Sequence, residues 1–419
     1  MSSIAINADR LWNSLMETAR FGGTADGGIA RLTLSDEDRQ VRDWLAARCR
    51  ELGMTVTVDE VGNMFALRPG RRDDLLPIAM GSHLDTQPTG GRFDGVLGVL
   101  SALEVVRSLD DAGITTEAPL MVVNWTNEEG SRFSPAMLGS GVYAGVYTPE
   151  HCAARVDVGG VAFGTALERI GYRGDAAAGS VRLGALFEVH IEQGPILDAE
   201  GIAIGVVQGV QGMRWFDLIL TGVAAHTGST PMSMRTDALL GMARVIAGIE
   251  AIALRHPDSV GSIGFVEVQP NSHNVIAGQV RATIDLRHPD DAVLDRVEAE
   301  TEALVAEAAR ERGLEATLTP VARTAAVVFD AECIASVRAA AQAAGLTTRD
   351  IVSGAGHDAV HIARILPTTM IFVPCEKGLS HNPAESSTEV ECAAGAQVLL
   401  DAVLDYDRRY LARLIREPA

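Results

Sequence analysis

Three histidines and a set of carboxylates fall where apolar, strand-like runs of the chain end. Gly81-Ser82-His83-Leu84-Asp85-Thr86 follows an apolar run over 75–80. His83 and Asp85 are two residues apart, so in extended chain they point the same way. An imidazole beside a carboxylate is a common pairing of a metal ligand with the group that orients it. Gly90-Gly91-Arg92-Phe93-Asp94-Gly95 comes next, and its glycines permit a tight backbone that could push the Asp94 carboxylate toward a cation. Glu128 and Glu129 follow the apolar run 119–125; adjacent glutamates there could divide the work, one as ligand and one as general base. His190 lies in Glu188-Val189-His190-Ile191-Glu192-Gln193-Gly194, sharing a face with Glu188 and Glu192 while Phe187, Val189 and Ile191 face the core. His381 lies in Gly378-Leu379-Ser380-His381-Asn382-Pro383, after the last apolar strand. Nitrogen and oxygen donors without thiolate suit Zn²⁺, Mn²⁺, Co²⁺ or Ni²⁺. Five such ligands with one bridging carboxylate would make a two-ion site, the ions about 3.5–4 Å apart. Each fragment also has a plainer reading: loop hydrogen bonding for His83 and Asp85, a helix N-terminus for the glutamate pair, a satisfied core histidine for His190. Their joint occurrence is what argues for chemistry.

Such residues need a scaffold that brings several strand ends together. The stretch 2–21 reads as an amphipathic helix. Ser35 can cap a helix running through Val41, Trp44, Leu45 and Cys49 to a stop at Gly53. Segments 54–58 and 63–67 alternate like strands, 119–125 and 186–191 are further strands, and 96–109 is helical. This rhythm predicts an α/β domain whose mixed, largely parallel sheet is flanked by helices, with its site at the carboxyl ends of the strands. Near residue 213 the pattern becomes β-α-β-β-α-β, with strands at 215–220, 262–268, 275–286 and 315–320 and helices at 237–254 and 290–312. That order matches the ferredoxin-like split unit. A helix at 332–344 and a strand at 368–373 then resume the first pattern. The expectation is one catalytic di-metal domain, 1–212 plus 326–419, interrupted by a smaller ferredoxin-like α+β domain, 213–325.

Composition narrows the partners. A chain of 419 residues, 47% apolar and 21% charged, is long enough for two or three domains with a large core. Its net charge is −20 and no basic run offsets it, so no nucleic-acid partner is expected. No apolar run approaches the roughly 18 residues of a membrane span, and the N-terminus lacks a signal-peptide core. Cys49, Cys152, Cys333, Cys375 and Cys392 are widely spaced and form no CxxC, which argues against a disulfide framework or thiolate zinc site and favours a reducing cytoplasm. All basic residues but Lys377 are arginines. A Schiff-base mechanism would have that lysine alone, and no cofactor-phosphate motif accompanies it.

Taken in chain order, the motifs resemble the dinuclear-metal amidohydrolases of the M20 peptidase family, over nearly the whole length. The resemblance is to the hydantoinase/carbamoylase branch: N-carbamoyl-L-amino-acid hydrolases, β-ureidopropionases and allantoate amidohydrolases. It rests on GSHLDT (81–86), GGRFDGVLGVL (90–100), NWTNEEGSRF (124–133), HIEQGP (190–195), AAHTGSTPM (224–232), NVIAG (274–278), DLRHP (285–289), GAGHDA (354–359) and SHNPAE (380–385). The resemblance implies two divalent ions, zinc first and manganese, cobalt or nickel as alternatives. His83, Asp94 and His190 would hold one, and Asp94, Glu129 and His381 the other. It implies Glu128 as general base and Asp85 as the group behind His83. Peptidase members of the wider family usually carry a carboxylate at the position of His190, which points to the ureido-cleaving branch.

The same resemblance gives substrate roles to Gln193, His226, Asn274, Arg287 and Gly356, with Arg214 as a weaker addition. Arginine is the natural bidentate partner of a substrate carboxylate. The counterpart of His226 commonly reaches across from the other subunit of a homodimer, so 213–325 is expected to be a dimerisation and lid domain. The implied reaction is hydrolysis of a linear C–N bond in an N-carbamoyl-L-amino acid, a small ureido compound with a carboxylate. β-Ureidopropionase and allantoate amidohydrolase are the near alternatives. Aminoacylase or dipeptidase is a more distant one, and a non-catalytic binding protein on the same fold is the alternative from another class.

Overall fold

A computed structural model describes residues 4–416, with side chains through residue 410. The chain divides into two compact units, one made of the residues up to Gln208 and from Val328 onward, the other of Gly209–Val327. The start of the stretch read as an N-terminal helix lies outside the described residues. The helix itself is Ala8–Thr18, begun by the Asn7 side chain accepting from the Arg10 N–H.

The first unit is built on a nine-stranded mixed sheet. Four parallel strands form its middle, in the order Leu120–Trp125, Ile78–His83, Ala185–Ile191 and Thr368–Val373. Each is buried along its whole length, as expected of parallel strands covered on both faces. Antiparallel strands flank them, Met64–Arg68 on one side and Ile204–Val210 on the other. Helices Val96–Asp111 and Glu389–Arg416 cover one face, where Phe187 meets Tyr406 edge to face at 5.4 Å. The short helices Leu138–Tyr143 and Ala359–Ile362 cover the other, with Tyr143 and Ile362 packed on Ala79, Val123 and Trp125. Parallel strands share one direction, so the residues after His83, Trp125, Ile191 and Val373 leave the sheet at the same edge.

Several boundaries differ from the sequence reading. The strand expected at 75–80 begins only at Ile78, after Pro77, and runs through His83, which makes His83 its last residue. Strands Ile204–Val210 and Thr348–Ser353 and the helix Glu389–Arg416 are absent from that reading. His288 and His361 are buried. The His288 ring is held between the Asp290 N–H and the Pro257 carbonyl, and His361 lies edge-on to Tyr147 at 5.9 Å.

The second unit is a four-stranded antiparallel sheet, ordered Glu315–Thr324, Gly212–Thr221, Gln279–His288, Val260–Gln269. Helices Ala238–Arg255 and Asp291–Arg312 cover one face. Phe216, Leu218 and Leu220 alternate with outward residues to make its core with Val280, Ala282, Ile284 and Leu286. Asp237 and Asp290 cap the two helices with side-chain oxygens.

Two buried arginines tie the first unit's periphery to its strand ends. Arg31 donates to the carbonyls of Thr18, Phe21 and Leu84. Arg42 pairs with Asp38 at 2.9 Å and donates to Gly62 O and Thr126 Oγ1, which locks helix Asp36–Glu51 to the segment that leads into Glu128. Both members of the Arg42–Asp38 pair are fully buried. Removing one leaves the other as an uncompensated buried charge, a loss of about 3–5 kcal/mol. Arg42→Met is expected to lower the urea midpoint by a corresponding amount, and Asp38→Asn added to it is expected to recover part of the loss. An unchanged midpoint in Arg42→Met would show that the pair contributes nothing.

Candidate metal centre

His83 ends its strand beside Gly95, whose φ of +66° suits glycine and whose missing Cβ would otherwise lie 2.3 Å from the His83 ring. The His83 Nδ1 donates to the backbone carbonyl of Asp85 at 2.9 Å, which turns Nε2 toward the carboxylates of Asp94 and Glu128. His190 repeats the device, with Nδ1 at 2.9 Å from the Ile191 carbonyl. Both Nε2 atoms face one oxygen of Asp94, at 3.6 Å for His83 and 3.2 Å for His190. The other Asp94 oxygen faces His381 Nε2 at 3.3 Å, and His381 Nε2 is 3.5 Å from Glu129 Oε2. Glu128 Oε2 lies 3.5 Å from His83 Nε2. The Asp85 carboxylate is 3.9 Å from the His83 ring and instead accepts the backbone N–H groups of Glu128 and Glu129, each at 3.3 Å. Its side chain braces the glutamate pair, while its backbone orients His83.

The electrostatics follow from burying so many carboxylates together. Burial alone would discharge His83, but Glu128, Asp94 and Asp85 more than reverse it and hold its pKa well above the usual imidazole value. Burial would likewise raise Asp94, but the imidazoles of His190, His381 and His83 pull it well below the carboxylate range. Burial lifts Glu128 far up, with Asp358, Glu129 and Asp94 adding to the rise. Burial and Asp94 push Glu129 to about 7.

This geometry fits divalent cations. The buried His83 Nε2 has no hydrogen-bond partner. Ligand atoms at about 2.0–2.1 Å from one tetrahedral ion stand roughly 3.3–3.4 Å apart. The separations are 3.6 and 3.2 Å from Asp94 Oδ1 to the Nε2 atoms of His83 and His190, and 3.3 and 3.5 Å from His381 Nε2 to Asp94 Oδ2 and Glu129 Oε2. They are long for direct hydrogen bonds and suited to an intervening ion. The two groups share only Asp94.

Gln193 and Gly356 lie in the same unit. Gln193, at φ +57°, donates its amide to Asp94 Oδ2 at 2.9 Å. Gly356 leaves room for the Met137 side chain, and the Met137 N–H bonds the Glu128 carbonyl. A deeper layer was only partly legible in the sequence. Glu188 accepts from Ser82 Oγ at 2.6 Å, Asp358 accepts from Ser140, and His357 packs edge to face on His190 at 4.6 Å. Ser380 and Glu385 escaped the sequence reading, although both stand in the SHNPAE segment that contains His381. Polar residues inside a motif were a usable signal.

His226, Asn274, Arg287 and Arg214 belong to the second unit. His226 and Asn274 adjoin on a two-stranded ribbon, with His226 paired to Val275 and the Thr227 N–H donating to the Asn274 carbonyl. His226 Nδ1 accepts from Gly228 and Ser229 N–H at 3.0 and 3.2 Å, which puts its proton on the exposed Nε2. Arg287 lies on the helix-free face of the sheet, its guanidinium paired in a fork with Asp285 at 2.8–3.2 Å. Gln279, which follows the His226 ribbon, and Arg287 lie on one extended strand. That strand places Gln279 and Arg287 on the order of 25 Å apart. Arg214 is buried, donates to Met213 O, Thr324 O and Asp295, and faces Glu298 at 3.4 Å. Its guanidinium anchors helix Asp291–Arg312.

Residues 79–405 match peptidase family M20/M25/M40. The chain is 50% identical to an N-carbamoyl-L-amino-acid amidohydrolase of Rhizobium meliloti, over 96% of each chain. It is 37% identical to an N-carbamoyl-L-amino acid amidohydrolase of Geobacillus stearothermophilus, over 95% of this chain and 98% of that one. Among solved structures, an amidase of the hydantoinase/carbamoylase family from Burkholderia multivorans superposes with a TM-score of 0.94 at 52% identity, covering 96% of this chain and 98% of the other. The chain is a member of peptidase family M20/M25/M40, on its carbamoylase side.

Proposed function

We propose that this chain hydrolyses the ureido C–N bond of an N-carbamoyl-L-α-amino acid, giving the amino acid, carbon dioxide and ammonia. The observation that carries the reading is Asp94 set between two ligand groups, with Glu128 beside them and hydrogen-bonded to neither Asp94 nor Glu129. The similarity to N-carbamoyl-L-amino-acid amidohydrolases supports the substrate class.

In this reading His83, Asp94 and His190 hold one divalent cation and Asp94, Glu129 and His381 a second, zinc first among the metals that such donors accept. When bound, these ions supply Lewis acidity toward the carbamoyl oxygen and acidify water. Glu128 takes the proton of the attacking water and passes it to the departing amine. The Nε2–H of His226 donates to the carbamoyl oxygen as charge develops on it. Arg287 exchanges its Asp285 partner for the substrate carboxylate, Asn274 adds a polar contact, and Gln193 and the Gly356 segment line the reacting end.

Two copies complete the site. The length of strand between the His226 ribbon and Arg287 supports one of them coming from a partner chain. The edge strand Val260–Gln269 supports pairing of two such units. It exposes Val260, Phe265 and Val266, and the neighbouring helix exposes Leu239, Ile246 and Leu254. The opposite edge, Glu315–Thr324, is blunted by Pro320 and an irregular register. Five free, buried cysteines are compatible with a reducing cytoplasm, and no described helix is long and apolar enough to cross a membrane.

Four measurements test this reading. Glu128→Gln is expected to keep its metal and lose most of kcat, on the order of 10²–10⁴-fold, whereas Glu129→Gln is expected to lower metal occupancy. The opposite pattern in metal analysis and steady-state kinetics would mean the two roles are exchanged. Mixing inactive Glu128→Gln with inactive His226→Ala is expected to restore activity through mixed dimers, and verified mixed dimers without activity would refute a shared site. Ammonia release is expected to be fastest on N-carbamoyl-L-α-amino acids within a panel that includes N-carbamoyl-β-alanine, allantoate and N-acetyl-amino acids. Arg287→Ala is expected to lose most of the preference for N-carbamoyl-L-alanine over its carboxamide. A mutant that discriminates as well as the parent would assign the carboxylate to another group.

A further inference from the structure

Asp94 must present one oxygen to His83 and His190 and the other to His381, so the orientation of its carboxylate plane decides whether the two ligand groups can coexist. Its own segment cannot fix that plane. Gly90, Gly91 and Gly95 surround it, and the turn makes no regular secondary structure before helix Val96–Asp111. The support comes from the far end of the chain. Glu385 Oε1 accepts the backbone N–H of Phe93 at 2.9 Å and that of Asp94 at 3.1 Å. Glu385 Oε2 accepts the hydroxyl of Ser380 at 3.0 Å, and that hydroxyl also lies 3.2 Å from Asp94 Oδ2. Ser380 precedes His381, so one carboxylate grips the turn that carries the shared ligand and the turn that carries the last one.

Gly91 is a second, independent sign that this contact shapes the site. Its φ is not positive, so its backbone alone would tolerate a side chain. A Cβ there would nonetheless lie 2.1 Å from the Glu385 carboxylate. The glycine leaves the space that lets Glu385 reach the Phe93 and Asp94 amides. Glu385 is itself buried and touches neither His83, His190 nor Glu129 in any hydrogen bond among the described residues.

We infer that Glu385 is the positioning residue of the bridging ligand: it sets the Asp94 carboxylate, and with it the spacing of the two cation positions. The inference rests on the two-cation reading of the site. Partners that orient metal ligands typically contribute about 10–100-fold to metal affinity. Glutamine keeps one carbonyl oxygen for the two amides and can donate its NH₂ to the Ser380 oxygen. Aspartate keeps the charge but is one methylene too short to hold both turns.

The test is a Co²⁺ titration of metal-free protein followed by visible absorption, with the thermal midpoint of each metal-free variant measured alongside. Wild type is expected to take two ions with the absorption of low-coordinate cobalt. Glu385→Ala and Glu385→Asp are expected to bind about 10–100-fold more weakly with a changed spectrum, and Glu385→Gln to stay within a few-fold of wild type. Gly91→Ala is expected to reproduce the aspartate phenotype. If Glu385→Ala does not fold, the contrast between glutamine and aspartate decides. Wild-type protein that takes up no second ion would refute the two-cation reading itself. Two ions bound by wild type, with aspartate equal to wild type or glutamine as weak as aspartate, would overturn the role of Glu385. So would a loss of affinity matched by an equal fall in the metal-free thermal midpoint of every variant, since that marks a general prop of the fold.

Discussion

The structure is organised around a concentration of buried charge that side chains alone do not satisfy. Asp94, Glu128, Asp85, His83 and His190 are all nearly excluded from water, and Glu129 and His381 close the group. Protons can neutralise part of it, which is why burial and mutual repulsion raise the glutamates while His83 is held charged. They leave the His83 Nε2 without a partner. Buried polar groups without partners are costly, and a fold keeps such an arrangement where a ligand completes it. Left-handed backbone at Gln193 and His381 and the positive φ of Gly95 gather at the same place, as strain commonly does at functional sites.

The scaffold answers that constraint by geometry. Four parallel strands deliver their C-terminal ends to one edge, and residues of the candidate centre leave from there: Glu128 and Glu129 after the first, His83 at the end of the second, His190 within the third, His381 after the fourth. Backbone carbonyls at Asp85 and Ile191 fix the tautomers of His83 and His190, a division of labour usual for imidazole ligands. Asp85 and Glu385 act on backbone amides rather than on rings. The rigidity of the centre therefore depends on buried carboxylates gripping turns, and those turns are rich in glycine because the grips require close approach.

The inserted unit carries the residues proposed to recognise substrate. His226 and Asn274 stand at one end of its sheet and Arg287 toward the other. The fork of Arg287 is matched to a carboxylate, that of Asp285. His226 presents a fixed N–H because two backbone amides claim its other nitrogen.

Much of this was legible in the sequence because it depends on residue type and local period. Apolar runs broken by Gly, His and Glu mark strand exits, the change to β-α-β-β-α-β marks the insertion, and the chain order of His83, Asp94, Glu129, His190 and His381 marks the centre. Other features depend on what meets across hundreds of residues, and no local pattern records them. The grip of Glu385 on the Phe93 and Asp94 amides joins positions 292 and 291 residues apart. Arg214 reads as a recognition cation until helix Asp291–Arg312 surrounds it with acids, and His361 reads as a surface residue until Tyr147 and its neighbours bury it. Sequence by itself determined which residues could do the chemistry and which segments would carry them. Only the tertiary structure decided which carboxylates face a cation position and which hold a turn, because that depends on distances set by packing between strands far apart in the chain.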